Sequence, residues 1–347
     1  MRKRIAVIFG GHSSEYEVSL QSAFSVLQNI NENKFEVFPV GITREGEWYH
    51  YMGGLEQIRD NSWAEKKENL HSVAVSQSRP APGFLVFDGD GCRRIPVDLV
   101  LPVLHGRNGE DGTLQGLFEL AGIPVAGCGT LSSALCMDKD RAHKLVGLAG
   151  IAVPKAVAFR QADQEAACRK VKESLSCPLF VKPLRAGSSL GITRITKMQE
   201  LFSAVEFAFT YDTEVIVEEE VDGSEVGCAI LGDEVLTVGR VDEVALSGSF
   251  FDYTEKYTLQ SSRIYMPARV ERKTEERIQE TAVAIYRTLG CSGFARVDMF
   301  YTSSGEIVFN EVNTIPGFTS HSRYPNMMKG IGLSFTEVLD KLLSLYL

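Results

Sequence analysis

Arg296 and Asp298, followed after a short gap by Asn310, Glu311 and Asn313, are the residues in this chain best spaced to do chemistry together. They lie in two strand-like runs, Gly293 to Tyr301 and Glu306 to Val312, with a turn signal at Ser303-Ser304-Gly305 between them. A two-residue turn at Ser304-Gly305 would set Asp298 opposite Glu311 and Arg296 opposite Asn313. Period-two alternation would then put all four side chains on one sheet face. Two carboxylates and an amide oxygen are hard ligands suited to Mg²⁺, which keeps waters and shares substrate phosphates. A guanidinium beside them can bind anionic oxygens. The alternative is the solvated face of an antiparallel sheet, but Phe300, Val308, Pro316 and Phe318 make the surroundings too apolar for an ordinary wet surface.

Other stretches carry weaker signals. Lys182 to Gly191 is a cationic loop between two strands whose small residues let backbone N–H groups approach a phosphate. A tight hairpin is the equal alternative, and no Gly-Lys-Ser/Thr opens a helix there. Gly10-Gly11 follows a strand, but G-x-G-x-x-G is missing. Ser14 and Glu17 fit a capping box; read functionally, Glu17 sits at the carboxyl edge of the first strand, where it could bind a ligand ammonium. His105 ends another strand, at the edge where open α/β sheets bind ligands. Lys139 lies in a helical pattern as either a solvated charge or a phosphate contact. A carboxylate of the strand end Val217 to Val221, such as Glu218, or Glu225 could accept hydrogen bonds from a ribose, and a solvated acidic edge is the alternative that spacing leaves open. Ser247 to Ala268 is polar-aromatic and poorly periodic, in the length range of a lid, with an ordered surface loop as the alternative.

These residues need a frame, and 347 residues suffice for two or three cores. Strands at Arg4–Phe9, Phe35–Ile42, Val97–Leu104 and Ile123–Ala126 alternate with helices near Glu15–Ile30 and Gly112–Ala121, which predicts a parallel, doubly wound N-terminal domain. Glu56 to Ser78 reads as a polar surface insertion. After Cys128 the pattern becomes α+β, with one helix over Ser132–Gly150, strands at Ala156–Phe159, Leu179–Pro183, Gly191–Ile195 and Glu214–Glu220, and helices near Asp163–Leu175 and Met198–Ala208. The last third carries strands Ser224–Leu231 and Glu234–Val241, the hairpin, and helices Lys273–Leu289 and Ser334–Leu345. A formal charge of −9 argues against a general nucleic-acid or membrane-surface binder. Seven scattered cysteines without a C-x-x-C read as reduced thiols of a cytoplasmic protein. The apolar run Ile5 to Phe9 is too short for a signal sequence, and no run reaches transmembrane length.

Taken together, Glu17-Val18-Ser19, Leu104-His105-Gly106, Gly109 to Gly112, Met137-Asp138-Lys139, Gly187-Ser188-Ser189, Glu255-Lys256-Tyr257, Arg296-Val297-Asp298, Asn310 to Asn313 and Pro316 to Ser320 resemble the ATP-grasp D-alanine–D-alanine ligase family over nearly the whole chain. Phe318 to Pro325 is most similar to the glycopeptide-resistance branch, of the D-alanine–D-serine type. The resemblance implies an ATP-grasp fold divided at 1–127 (α/β substrate-binding), 128–221 (central subdomain) and 222–347 (C-terminal subdomain with metal site and lid). It implies ATP and two Mg²⁺, with Mn²⁺ able to substitute, in a cytoplasmic homodimer that acts on D-alanine and D-serine for peptidoglycan precursors and binds neither nucleic acid nor membrane. Lys139 and Lys182 would contact phosphates, with the Ser188-Ser189 loop closing over them. Glu218 would hold adenine and Glu225 the ribose. Asp298, Glu311 and Asn313 would hold the metals. Glu17, linked through Ser188 to Tyr257, would bind the ammonium of the first D-alanine, with His105 nearby. Arg296 and the Gly317 N–H would stabilise the oxyanion, and Lys256 and Ser322 the second carboxylate.

Two departures bear on the second substrate. Arg323 stands where ordinary dipeptide ligases of this family carry an apolar residue, and Phe251 where they carry Tyr. A polar side chain there would favour a hydroxymethyl group over a methyl. Retention of Tyr257 in a Lys-Tyr lid motif points to an amine nucleophile rather than the hydroxyl of D-lactate.

Overall fold

The computed structural model describes residues 2–89, 91–246 and 262–347. The apolar run near the start forms β1 (Lys3–Gly10). Its alternate residues enter two different cores: Ile5, Val7 and Phe9 join one, Ala6 and Ile8 the other. Such a strand must be covered on both faces, which is why it reads as a continuous hydrophobic run. α1 (Tyr16–Asn29) covers the first face and α3 (Thr113–Ala121) the second. β1 pairs in parallel with β2 (Phe35–Ile42) and β7 (Leu99–Pro102), the predicted doubly wound core.

The sheet extends further than the sequence pattern indicates. Four antiparallel strands, β3 (Trp48–Tyr51), β4 (Leu70–Ser76), β5 (Gly83–Asp88) and β6 (Gly91–Ile95), widen it to seven in the order β6-β5-β4-β3-β2-β1-β7. Residues 56–78 are therefore not merely a surface insertion. They supply β4, most of the short helix α2 (Leu55–Arg59), and the fully buried Ile58 and Trp63. Trp63 packs edge-on against Phe9 and Tyr51, an aromatic anchor that outweighs the polar residues around it. Ile123–Ala126 forms only a bridge from Val125 to Val100.

The expected single helix over 132–150 is two helices, α4 (Thr130–Met137) and α5 (Lys139–Leu148). Asp138 separates them in an extended conformation, and its side chain accepts from the Arg141 N–H, capping the second helix. A four-stranded antiparallel sheet follows, β8 (Ala156–Arg160), β9 (Leu179–Pro183), β10 (Thr193–Ile195) and β11 (Glu214–Glu219), in the order β10-β9-β11-β8. It shares its own core with α6 (Gln164–Ser174) and α7 (Leu201–Phe209).

The third sheet runs β14-β13-β12-β15-β16, from β12 (Gly223–Gly232), β13 (Leu236–Leu246), β14 (Ser262–Tyr265), β15 (Phe294–Thr302) and β16 (Ile307–Asn313). α8 (Arg272–Thr288) packs on one face. α9 (Arg323–Lys329) and α10 (Phe335–Ser344) contribute to the core on the other, which they share with α1 of the first unit. No helix among the described residues is long and apolar enough to cross a membrane, and the seven cysteines are free thiols.

Candidate active site

The β15–β16 hairpin places Asp298 opposite Glu311 and Arg296 opposite Asn313, as its sequence suggests, but by a different route. The loop has three residues rather than two: Thr302 pairs with Glu306 (N to O 3.0 Å) and Gly305 takes φ +83°, a left-handed value suited to glycine. That alone would slip the register by one. A bulge at Asn310 slips it back, because Met299 faces Phe309 while Asp298 faces Glu311. Arg296 Nη2 lies 2.7 Å from Asp298 Oδ2, and Asn313 Nδ2 donates to the same oxygen at 3.0 Å.

Arg323, at the start of α9, reaches the same cluster. Its Nε and Nη2 donate to Asp242 (2.8 Å each), its Nη1 to Glu225 (2.8 Å), and Asp298 Oδ1 lies 3.4 Å away. Burial opposes the charge on Arg323, but Asp242 and then Asp298 outweigh it and hold the guanidinium firmly protonated. Gly227 makes room: a Cβ there would stand 2.8 Å from Asp242 Oδ1 and would meet the Arg323 guanidinium. Asp242, buried on β13 in an unremarkable Val-Asp-Glu-Val run, gives no sequence signal. Two guanidiniums, Arg296 and Arg323, stand against four carboxylates, Glu225, Asp242, Asp298 and Glu311. The formal excess of two negative charges and the hard oxygen donors fit a divalent cation. The donor set is mixed; among the described residues no three His, Cys, Asp or Glu side chains are arranged as a metal cluster.

Across the cleft, the Ser188 hydroxyl donates to a carboxylate from the first unit, but to Glu15 and not Glu17. This corrects the expected link. α1 begins at Tyr16 with Glu15 in the cap position, and no Ser14–Glu17 capping box forms. Glu17, two residues on and so on the other side of the helix, is exposed and pairs with Arg44, whose guanidinium also stacks 4.2 Å over the Tyr16 ring. Glu15 is buried. Gly106 and Gly187 flank it so closely that a Cβ on Gly187 would stand 2.7 Å from Glu15 Oε2. Ser188 and Ser189 adopt φ +51° and +58°, unusual for non-glycine residues and typical of functional loops. A cavity of about 420 Å³ opens between the two units here, lined by Ser13, Glu15, Arg44, Gly106, Arg185 and Gly187 among others.

Lys139 and Lys182 come together behind this loop. Lys139 Nζ donates to the Ala186 carbonyl (2.8 Å), and Lys182 Nζ lies 2.6 Å from Glu218 Oε2. Glu218 is buried, which raises its pKa, but Lys182 and His143 overcompensate and hold it below the ordinary carboxylate range. His105 is also buried, with Nδ1 on the Ile315 carbonyl (3.0 Å) and Nε2 on Ser22 Oγ (3.1 Å). Burial lowers its pKa to about 4, so it is a neutral tie between units. Glu110 beside it, missed in the sequence, accepts from Gly106 N (2.8 Å) and Ile315 N (3.2 Å). Burial and then the Glu15 carboxylate raise it to about 8. Ser322 precedes α9 in the N-cap position without a side-chain bond to the helix, and its Oγ accepts from Thr319 N–H at 3.0 Å. Phe251, Lys256 and Tyr257, with most of the expected lid, lie outside the described residues.

Residues 4–128 match the family model described as D-ala D-ala ligase N-terminus, and residues 145–344 the one described as D-ala D-ala ligase C-terminus. The chain belongs to the D-alanine–D-alanine ligase family. The family's members are ATP-dependent ligases with the ATP-grasp fold, and so is this protein. Its relatives differ in their second substrate. It is 44% identical to the vancomycin C-type resistance protein VanC1 of Enterococcus gallinarum, over 99% of this chain and 98% of that one. It is 42% identical to a D-alanine–D-alanine ligase of Caldicellulosiruptor bescii, over 99% and 94%. The crystal structure of VanG D-Ala:D-Ser ligase from Enterococcus faecalis superposes with a TM-score of 0.94 at 68% identity, over 100% of both chains. Family membership implies ATP and a divalent cation, for which the Asp298–Glu311–Asn313 group is suited.

Proposed function

We propose that the protein joins D-alanine to D-serine, converting ATP to ADP and phosphate, to make a modified peptidoglycan precursor of the glycopeptide-resistance type. The observation that carries the ligase chemistry at this site is the Ser188–Glu15 contact, which draws a buried carboxylate and the phosphate loop to one point. Glu15 takes the role first expected of Glu17 and holds the ammonium of the first D-alanine. The carboxylate of that D-alanine, not of Glu15, attacks the γ-phosphate, giving ADP and an acyl phosphate. Lys139 and Lys182 hold the phosphates, the Ser188-Ser189 loop covers them, Glu218 holds adenine and Glu225 the ribose. Asp298, Glu311 and Asn313 would hold two Mg²⁺, with Mn²⁺ as a substitute, and the metal would supply charge neutralisation for the transferring phosphoryl group. The incoming amine attacks the acyl carbon to form a tetrahedral oxyanion that meets Arg296 and the Gly317 N–H, and its collapse breaks the C–O bond and expels phosphate. The family resemblance assigns Lys256 and Ser322 to the second carboxylate and Tyr257 to the link with Ser188. A cytoplasmic homodimer belongs to the same reading.

Two observations support D-serine. Arg323 is fixed by Asp242 and Glu225 rather than left to sample rotamers, and so offers a preorganised polar wall. The 68% identical structure is named for D-serine use. Incubation with ATP, Mg²⁺ and equimolar D-alanine and D-serine, with products weighed by mass spectrometry, is expected to give mostly D-alanyl-D-serine. A small amount of D-alanyl-D-alanine fits, since a single hydroxyl is discriminated by roughly 100-fold unless a hydrogen bond demands it. Mostly D-alanyl-D-alanine would instead make this an ordinary dipeptide ligase.

A further inference from the structure

The segment from Ile315 to Phe318 leaves the hairpin and carries Gly317. Its two ends are held by the N-terminal unit. At one end Ile315 gives its carbonyl to His105 Nδ1 (3.0 Å) and its N–H to Glu110 Oε1 (3.2 Å). At the other, Phe318 N–H donates to Ser22 Oγ at 3.3 Å. The Ser22–His105 contact of 3.1 Å joins the two ends into one ring.

The protons in this ring have one consistent arrangement. A carbonyl only accepts, so Nδ1 of a neutral His105 must carry the hydrogen and Nε2 must be the acceptor. The Ser22 hydroxyl must then donate to Nε2, which leaves its lone pairs for Phe318 N–H. Ser22 is fully buried, so water does not compete. The N–H groups of Ile315 and Phe318 are thereby used, Pro316 has none, and Thr319 N–H is taken by Ser322 Oγ (3.0 Å). Among the described residues nothing accepts the Gly317 N–H, so it is the one donor of the segment left for a ligand.

We propose that Ser22 is a positioning residue: through Phe318 N–H and His105 it fixes the backbone around Gly317 so that this N–H meets the reaction oxyanion. The proposal rests on the ligase reading above. Ser22 sits on α1, far from the β15–β16 hairpin in sequence, so the reacting geometry depends on how the first unit docks on the third. An oxyanion donor contributes only when it is already aimed at the transition-state oxygen, and small displacements are costly.

The test compares Ser22→Ala and the nearly isosteric Ser22→Cys with the wild type. Steady-state rates are measured together with inhibition by a phosphinate analogue of the dipeptide, whose tetrahedral phosphorus mimics the adduct. Both variants are expected to lose about 10- to 100-fold in kcat with the KM for ATP within about threefold, Ala more than Cys. Affinity for the phosphinate is expected to fall by the same factor as kcat/KM, while ADP affinity stays unchanged. Wild-type kcat and phosphinate affinity in a folded variant would overturn the proposal, as would a lowered Tm with unchanged turnover. If Ser22→Ala does not fold, Ser22→Cys decides alone. Failure of the wild type to release ADP in the presence of D-alanine would instead overturn the ligase reading.

Discussion

Glu15 and Glu17 differ by two positions in sequence and by everything that matters physically. The first is buried between two glycines and accepts from Ser188; the second is exposed and paired with Arg44. A helix turns about 100° per residue, so a start two residues off points a side chain to the other side. That displacement is what the sequence hid, because Ser14 and Glu17 match a capping box that does not form. The hairpin pairing was legible because its spacing has a period. Asp242 and Ser22 were not, since each acts through a partner far away in sequence, and Glu110 stood in the Gly109 to Gly112 motif with no role of its own. Removal of a buried charge partner costs on the order of 100-fold in affinity or more, whereas an exposed ion pair contributes about 0–1 kcal/mol. Glu15→Gln is therefore expected to lower kcat/KM for D-alanine by at least about 100-fold with ATP binding retained. Glu17→Gln should stay within about threefold of wild type, and steady-state kinetics of the two would return the role to Glu17 if the pattern is reversed.

At the level of elements, strands and helices with strong periodicity were readable, and those set by tertiary partners were not. The parallel core strands follow from continuous apolar runs, while β3, of four residues, and β6, mostly exposed, gain their place by pairing with neighbours. The hairpin register shows the distinction in one motif. Its expected pairing holds only because the Asn310 bulge offsets the three-residue loop, and a bulge leaves no mark in apolar periodicity. What holds the bulge is His143 on α5, whose Nε2 donates to the Asn310 carbonyl at 2.8 Å while Nδ1 faces Glu218 Oε1 at 3.7 Å. Glu311 is the next residue, so its aim depends on that bond. His143→Gln keeps an amide donor near the Nε2 position and should hold turnover within about threefold. His143→Leu leaves a buried carbonyl unpaired, at about 1–3 kcal/mol, and should raise the Mg²⁺ concentration for half-maximal turnover by about tenfold. An unchanged Mg²⁺ dependence in the Leu variant would show that the bulge holds without it.

Stability against pH and the docking of the units are properties of the whole chain. His50, on β3, stacks on Phe38 at 4.1 Å and keeps Nδ1 buried without a hydrogen-bond partner. Burial, then the charges of His71 and Arg93, lower its pKa from 6.5 to about 4. The unfolded chain takes up a proton between those values and the folded one does not. This contribution to stability is thus complete above about pH 6.5 and lost as pH falls toward 4; His105 adds to it in the same direction. His50→Phe should raise the Tm slightly at pH 7 and more at pH 5, and equal shifts at both would place the titration elsewhere. The larger question is why two family-matched segments make one folded body. The core around α1 is completed by Phe294, Phe318, Tyr324, Leu339, Leu342 and Leu343, all from the C-terminal third. α10 is further tied to the end of α1 through Thr336 Oγ1 to the Asn29 carbonyl (3.0 Å) and to the loop before β2 through Lys34 to Asp340 (2.6 Å). Removing this cover exposes an apolar face wider than one helix, and a marginally stable domain cannot tolerate the loss of several core side chains when each contributes about 2–5 kcal/mol. A fragment of residues 1–128 should therefore show native-like secondary structure by circular dichroism but no cooperative thermal transition, and should bind a hydrophobic dye. Adding residues 129–347 in trans should restore the transition and remove the dye signal. A sharp transition in the fragment alone, near that of the full chain, would mean the first sheet carries a sufficient core by itself, and that the Ser22–Phe318 tie joins two independent domains rather than one cooperative unit.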